Sequence, residues 1–303
     1  MSPMKLRPLI LAAAVLGTAC SHTPNSTAMP AKDTAPLRLA SYNVSLYTDR
    51  AGGLVEDLQA GSEQAARIAA VLQTVRPDIV LVNEFDFDAD GRAADLFQRQ
   101  YLEVAQPGGG QPLHYAYRYL APVNTGVPSG LDLDNDGQVG GKGRAHGNDA
   151  WGYGVHPGQY GMLLLSRHPI DTAAVRSFQL LKWHTLPDAR RPRDPETGTW
   201  FWPDAVWQQL RLSSKSHWDV PVDTPAGRLH VLASHPTPPA FDGPEKRNVA
   251  RNADELALWR HYLDNAPASA GWLCDDQGRC GGLADDARYV IMGDLNNDPS
   301  DGN

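Results

Sequence analysis

Four apolar segments of this sequence each end in polar side chains that can bind a cation or move a proton. "PLRLASYN" ends on Asn43, "DIVLVNE" on Glu84, "RLHVLASH" on His235, and "YVIMGDLN" carries Asp294 and Asn296. Carboxylate and amide oxygens are hard ligands that suit magnesium, manganese or calcium, whereas a zinc site usually contains more His or Cys. These five side chains therefore predict a site for a hard divalent cation.

The same four segments have the length and composition of buried β-strands. Each is short and mostly aliphatic, which is typical of a strand covered on both faces by other elements. Between the first two lies "SEQAARIAAVLQTVRPD", an amphipathic pattern with Glu63 near its start and Pro77 after its end, which predicts a helix. In an α/β protein the strand ends at one edge of a sheet line a common crevice, so these polar groups can converge.

A second helix is predicted over "GPEKRNVARNADELALWRHYLDN", with Pro244 near its first turn. Helical spacing puts four of its side chains on one stripe: Asn248, Asn252, Glu255 and Trp259. The polar half of this stripe either faces the crevice or is a solvated helix face, and the second explanation is the more common one for such a pattern.

The chain is 303 residues long, with 42% hydrophobic and 20% charged residues, which suits one large globular domain or two small ones. A formal net charge of −8 argues against a protein that coats nucleic acid through a basic surface. A phosphate group that binds here would therefore be expected to meet a metal cation.

Five motifs together carry a family resemblance: "SYNV", "VNEF", "GQYGMLLLSRHPI", "LASHPTPPAFDGPEKRN" and "IMGDLNNDP". In order and spacing they resemble the endonuclease/exonuclease/phosphatase superfamily, which has the DNase I-like fold, and the resemblance covers Leu37 to Asn303. It implies an α/β four-layer sandwich, in which helices flank two mostly antiparallel or mixed sheets. It also implies a phosphoester hydrolase that uses a metal-activated water, with Mg²⁺ or Mn²⁺ as the cofactor.

The resemblance gives each residue of the predicted site a role. Glu84 looks like the principal metal ligand with Asn43 beside it, Asp294 like the group that orients or deprotonates the attacking water, and Asn296 like the donor that steadies the phosphate. His235 resembles the histidine that protonates the leaving oxygen or contacts the phosphate. Taken singly, these residues also suit a surface position, a turn or a buried core histidine. Other histidines lack a supporting motif and are expected at the surface or in loops: His146, His156, His184 and His217.

The substrate class stays open between nucleic acid, phospholipid head groups and small phosphate esters. Members of the superfamily carry a later Ser-Asp-His motif, which the residues after Asn296 do not contain. The expectation from the sequence is thus a domain over residues 37–303 that is incomplete at its C-terminus, with the last strands missing. The alternative function is a non-catalytic or weakly active surface module that binds calcium.

The segment "LDLDNDGQVGGKG" resembles the first half of a calcium loop. Asp132, Asp134 and Asp136 alternate before Gly137, as inward-pointing ligands do. Position twelve, where such a loop has a bidentate Glu, is Gly143. The pattern therefore leaves a looser structural Ca²⁺ site or a purely structural turn.

Residues 1–20 have the pattern of a signal peptide. Lys5 and Arg7 precede an apolar run that is too short to span a bilayer, and "LGTAC" resembles a lipobox that would lipidate Cys20. Gly17 stands where a larger aliphatic residue is usual, so cleavage after Ala19 to a free secreted form is the alternative. Residues 21–36 are rich in Ser, Thr, Pro and Ala and predict a flexible tether. The expected location is the bacterial periplasm or outer surface as a lipoprotein, or secretion, with lipid as the membrane contact.

The two remaining cysteines flank "DDQGR", a polar turn that contains glycine. If Cys20 carries lipid, Cys274 and Cys280 can close a small disulfide in an oxidising compartment. Free thiols or a metal clip are the alternatives, because short spacing alone does not fix the geometry that a disulfide needs.

Overall fold

The computed structural model describes residues 36–298 and residue 300. Its strands, in chain order, are β1 Leu39–Leu46, β2 Ile79–Phe85, β3 Tyr117–Tyr119, β4 Met162–Ser166, β5 Arg176–Ser177, β6 His217–Thr224, β7 Gly227–Ser234 and β8 Tyr289–Gly293. Its α-helices are α1 Gly53–Ala60, α2 Glu63–Val75, α3 Arg92–Leu96, α4 Arg144–Asn148, α5 Asp204–Trp207 and α6 Arg247–Asp264. A π-helical turn, Phe97–Leu102, continues α3, and two 3₁₀ turns are formed by Trp183–Thr185 and Pro267–Gly271.

These strands form two mixed sheets of four. In the first sheet the order is β1-β2-β4-β3, and in the second it is β5-β6-β7-β8. Each sheet has one parallel pair, β1 with β2 and β7 with β8, and its other pairs are antiparallel. Strands β1 and β2 also contact β8, so the two parallel pairs approach one another between the sheets.

Successive side chains along a strand pack into different layers of the core. In β2, Val80 and Val82 pack against the helices that cover the first sheet, whereas Ile79 and Leu81 point to the opposite face, toward the second sheet. Leu232 of β7 packs under α6, and its neighbours in the strand point back between the sheets. Side chains on successive strand residues point to opposite faces, so two covered sheets give helix, sheet, sheet and helix layers. The predicted four-layer α/β sandwich of mixed sheets is confirmed.

The first predicted helix matches α2, and the second begins later than expected. Ser62 is the N-cap of α2 and accepts a hydrogen bond from the backbone N–H of Ala65. Helix α6 starts at Arg247 rather than near Pro244, because the Asp242 carboxylate accepts the N–H groups of the first helical turn, at residues 248 and 249. The chain between Pro244 and the helix therefore belongs to the loop.

Cys274 and Cys280 are joined by a disulfide that closes the turn between them. Helices in the described ranges lack the length and apolar character needed to cross a membrane. The predicted signal peptide, the lipidation at Cys20 and nearly all of the predicted tether lie outside the described residues.

Candidate active site

Asn43, inside β1 just before a register irregularity, and Glu84, near the end of β2, lie side by side. Asn43 pairs with Asn83 across the parallel strands, and a register shift follows Asn43, so the next residue of β2 turns toward it. Glu84 has a positive φ of 59°, which is uncommon for a residue with a long side chain and marks a local backbone constraint. The Asn43 amide donates hydrogen bonds to Glu84 Oε1 and to Asp294 Oδ2, both at 2.9 Å.

The ends of β7 and β8 bring His235 and Asp294 together in the same way. Ser234 pairs with Gly293, and a Cβ atom at position 293 would overlap the carbonyl oxygen of Ser234. This close approach requires glycine at position 293. Because the two strands are paired up to this point, His235 after β7 and Asp294 after β8 leave the sheet side by side. His235 Nε2 lies 3.8 Å from Asp294 Oδ2.

Asn296 lies in a turn directly after Asp294. Its side-chain amide donates to the carbonyl of Pro236 at 3.0 Å, and its backbone N–H donates to Asp294 Oδ1 at 3.2 Å. The Asn252 amide, from α6, donates to the carbonyl of Leu295 at 3.1 Å. The turn expected from the sequence and the convergence of side chains therefore occur in the same segment.

A cavity of about 600 Å³ opens over these strand ends. Glu84, His235 and Asn296 lie in its wall. Aromatic and basic side chains form much of the remainder: Tyr47, Trp151, Tyr153, Tyr160, Phe241, Arg144, Arg211 and Lys215. The cavity has the size of a small-molecule site and combines an apolar lining with a few convergent polar groups.

The sequence model described as the Endonuclease/Exonuclease/phosphatase family matches residues 40–303. The chain belongs to this family. No curated protein matches the sequence significantly.

Several solved structures resemble the chain at low sequence identity. An endonuclease/exonuclease/phosphatase from Beutenbergia cavernae is 19% identical with a TM-score of 0.41, over 87% of this chain and 49% of that one. Sphingomyelinase C from Streptomyces griseocarneus is 19% identical with a TM-score of 0.41, over 86% of this chain and 65% of that one. A beta toxin mutant from Staphylococcus aureus with bound magnesium ions is 13% identical with a TM-score of 0.40, over 87% of this chain and 66% of that one. This chain thus spans about half and about two thirds of the length of the first two.

The side chains that converge here suit a hard divalent cation. Glu84 and Asp294 bring carboxylates to the two sides of one amide group, that of Asn43. Oxygen ligands of this kind bind Mg²⁺ in proteins. The Asn43 carbonyl accepts the backbone N–H of Ser45 at 3.1 Å, so its NH₂ group faces the carboxylates. In this arrangement Glu84 would hold the cation and the Asn43 amide would position the two carboxylates, and the assignment of Glu84 and Asn43 to the metal site stays a prediction.

His235 is held neutral by its surroundings. Burial, and then the nearby charge of Lys215, keep the pKa of the imidazole well below its usual range. Its Nδ1 atom is buried and has no hydrogen-bond partner among the described residues. The proton-donor role predicted from the resemblance would therefore require a neutral imidazole N–H near pH 7.

The sequence did not assign roles to Lys215 and Glu255, which lie beside these residues. Lys215 is 6% exposed and lines the cavity, and burial lowers its pKa to about 8 although the Glu255 and Glu84 carboxylates oppose this shift. Glu255 accepts the backbone N–H groups of Ser214 and Thr237 at 2.7 and 2.6 Å. The polar stripe of α6 was the only sequence pattern that pointed to Glu255. A solvated helix face is the wrong explanation for this stripe, because Asn252, Glu255 and Trp259 are buried.

Two histidines expected at the surface or in loops are buried. His217 opens β6 and is fully buried, with hydrogen bonds to the Ser213 hydroxyl and to the carbonyl of Glu255, and burial lowers its pKa to about 4. His156 lies in a loop as predicted, but it is 8% exposed and its Nε2 atom is 3.0 Å from the carbonyl of Thr48. His217 packs against α6 and His156 contacts the chain at Thr48, and neither contact is visible in the local sequence.

The predicted calcium loop brings its three carboxylates together. Oxygens of Asp132, Asp134 and Asp136 lie within 4.8 Å of one another. Asp132 Oδ2 accepts the N–H of Gly137 at 2.9 Å, and its Oδ1 atom is buried without a hydrogen-bond partner in the described chain. Asp134 also lies in the wall of the cavity, so this loop adjoins the candidate active site.

Proposed function

We propose that this protein is a divalent-metal-dependent phosphoester hydrolase. The observation that carries the proposal is the convergence of Glu84, His235 and Asp294 from the ends of β2, β7 and β8 beside one cavity, in a member of this family. A divalent cation held by Glu84 would supply positive charge to the phosphate and to the attacking water. We place Mg²⁺ or Mn²⁺ in this role because the donors are oxygens.

The protein side chains have separate tasks in this proposal. Asp294 receives hydrogen bonds from Asn43 and from the backbone N–H of Asn296, which fix its carboxylate to orient a water and accept its proton. The neutral His235 imidazole donates a hydrogen bond toward the phosphate or the leaving oxygen. Asn296 is fixed by Pro236 at the cavity wall, where its amide can contact the phosphate.

The substrate we propose is a small phosphate ester or a phospholipid head group rather than a polynucleotide. A cavity of about 600 Å³ suits a compact ligand, and its aromatic side chains can contact an organic leaving group. The formal net charge of −8 disfavours the sequence-independent binding of a nucleic-acid backbone.

The test is turnover of bis(p-nitrophenyl) phosphate and of p-nitrophenyl phosphate, with Mg²⁺, with Mn²⁺ and after chelation. We expect release of p-nitrophenol with either cation, and its loss by at least about 100-fold when EDTA removes the metal, since the cation supplies several kcal/mol of charge stabilisation. The monoester and the diester differ in charge, so their relative rates also narrow the substrate class. Equal rates with and without metal would refute the metal dependence, and no turnover of either ester would refute the proposal and favour a non-catalytic module.

We also propose that the Asp132, Asp134 and Asp136 carboxylates bind a structural Ca²⁺ ion. Their oxygens are already close together, and a cation would relieve the repulsion between them and satisfy the buried Asp132 Oδ1 atom. Because Asp134 is part of the cavity wall, the ion would order one side of the candidate active site.

Calcium should raise the melting temperature of the wild-type protein in a concentration-dependent manner, because the ion binds the folded loop. At a Ca²⁺ concentration of 100 Kd the expected stabilisation is about 2.7 kcal/mol. The Asp132→Asn variant should lose this response. Asp285→Asn, at an exposed carboxyl outside the cluster, should keep it. A melting temperature that stays constant across the titration would rule out the calcium site.

A further inference from the structure

Lys215 lies in a segment in which it and both of its neighbours form contacts with other parts of the chain. The carbonyl of Lys215 accepts the N–H of Asn124 at 2.9 Å, and the N–H of Ser214 donates to Glu255 Oε1 at 2.7 Å. The hydroxyl of Ser216 lies 3.2 Å from that of Ser177. A segment held at three consecutive residues cannot easily re-aim its side chain, so the placement of Lys215 in the cavity wall is built into the fold.

The Lys215 ammonium has no anionic partner in the described part of the chain. Among residues 36–298 and 300, its Nζ atom has no ion-pair contact within 4.0 Å and donates no hydrogen bond, and the Glu255, Glu84 and Asp294 carboxylates act on it only through longer-range charge. Arg251, which is half-buried in this wall, differs because it donates to the carbonyls of residues 151, 211 and 212. An ammonium has three donors, and those of Lys215 have no acceptor among the described residues at the wall of the cavity, so a ligand in the cavity is the natural partner for Lys215.

The acidic groups of the site are already engaged. Both Glu255 oxygens accept backbone N–H groups, while Glu84 and Asp294 turn toward Asn43. A cation held at Glu84 would engage these last two carboxylates further and leave Lys215 without a protein counter-ion. The Thr237 hydroxyl lies in the same wall and likewise has no hydrogen-bond partner among the described residues.

From these observations we propose that Lys215 forms an oxyanion subsite that binds a nonbridging oxygen of the substrate's phosphate group. The inference rests on the proposed function for its substrate, and it adds a phosphate-binding residue that the family motifs do not include. Phosphate oxygens are strong acceptors, and a charge-assisted hydrogen bond from a buried ammonium is stronger than a neutral one. The metal site and Lys215 would then hold different oxygens of one phosphate.

The test measures binding of inorganic phosphate by calorimetry in the presence of Mg²⁺, and binding of Mg²⁺ alone. In Lys215→Met, phosphate affinity should fall by about 10- to 100-fold, the usual worth of a hydrogen bond between charged groups. Mg²⁺ affinity should stay equal or increase, because a positive charge near Glu84 and Asp294 has been removed. Lys215→Arg should retain most of the phosphate affinity. Lys142→Met, at an exposed lysine, is the matched control.

A purely structural role for Lys215 predicts different results. As a counter-ion for the buried carboxylates, its loss would lower the melting temperature and weaken Mg²⁺ and phosphate binding together. The subsite predicts a melting temperature without ligand that is unchanged or higher, since an unpaired buried charge has been replaced by an apolar group. Should Lys215→Met not fold, Lys215→Gln tests the same loss of charge with a polar side chain. Unchanged phosphate affinity in the neutral variant, or no phosphate binding by the wild-type protein, would overturn the proposal.

The two proposals fail in different ways. If the wild-type protein binds phosphate through Lys215 but hydrolyses neither ester with metal, the hydrolase function is wrong and the anion subsite stands. If metal-dependent turnover occurs and Lys215→Met changes neither phosphate affinity nor KM, the subsite is wrong and the hydrolase function stands.

Discussion

Glu84→Gln should reduce metal-dependent hydrolysis of bis(p-nitrophenyl) phosphate by about 1,000-fold, within the range for loss of a group that stabilises transition-state charge. The substitution removes the negative charge of the proposed cation ligand while keeping its shape. In the wild-type protein the Asn43 NH₂ group donates to Glu84 Oε1. In the variant the NH₂ group of the new glutamine would face the Asn43 NH₂ group unless one of the two amides rotates. Steady-state rates at saturating Mg²⁺, with calorimetric Mg²⁺ binding, measure both effects, and we expect Mg²⁺ affinity to fall with the rate.

Glu196→Gln is the matched control for that experiment. Glu196 is an exposed residue in a loop outside the cavity wall, so the same loss of charge should leave rate, Mg²⁺ affinity and melting temperature unchanged. The melting temperature of Glu84→Gln should also stay close to that of the wild-type protein, because this side chain is only half-buried. A Glu84→Gln variant that keeps its rate within about threefold at equal Mg²⁺ affinity would remove Glu84 from the proposed site.

The strands and helices that carry the site could be predicted because their signals are local. Apolar runs of strand length and the stripe of α2 depend on residues that are close in sequence. The polar group at the end of each run could also be recognised, since one edge of a sheet collects strand ends. The sequence could not show how Asn43 faces Glu84 and Asp294, because that orientation depends on a register shift and on the Ser45 N–H.

Lys215, His217 and Glu255 show what local patterns leave out. The segment "SSKSH" has no hydrophobic periodicity, and by composition it resembles an exposed loop. It is buried because α6 supplies the Glu255 carboxylate to the N–H of Ser214 and the carbonyl of Glu255 to His217, contacts that span about 40 residues. Burial of polar groups depends on such distant partners, which no window of sequence contains.

Glu255 links the two segments that present the residues of the cavity wall. One of its oxygens accepts the N–H of Ser214, next to Lys215, and the other accepts the N–H of Thr237, two residues after His235. It is fully buried in the interior of α6, so neither N–H group has water as an alternative partner. The side chain therefore acts as a positioning residue for both segments.

Glu255→Gln should lower the free energy of unfolding by about 3 kcal/mol, because a charged acceptor is lost and the new amide NH₂ must face one of two backbone donors. For a domain of this size that corresponds to a decrease of roughly 6–12 °C in melting temperature. Turnover per folded molecule should fall by about 100-fold, since small displacements of catalytic groups have effects of this order. Chemical denaturation and assays below the melting temperature of the variant separate these two quantities.

Asp254→Asn separates the loss of a buried carboxylate from the loss of site geometry. Asp254 lies on the same helix and is also buried, but it accepts Trp183 Nε1–H and the N–H of Arg190, both at 2.7 Å, so it holds another part of the cavity wall and not the segments of Lys215 and His235. Its substitution should destabilise the protein to a similar extent and leave turnover per folded molecule within about threefold. If Glu255→Gln and Asp254→Asn reduced turnover equally, the effect at Glu255 would be general loss of stability. If Glu255→Gln changed neither stability nor turnover, the two segments would be held in place by other contacts.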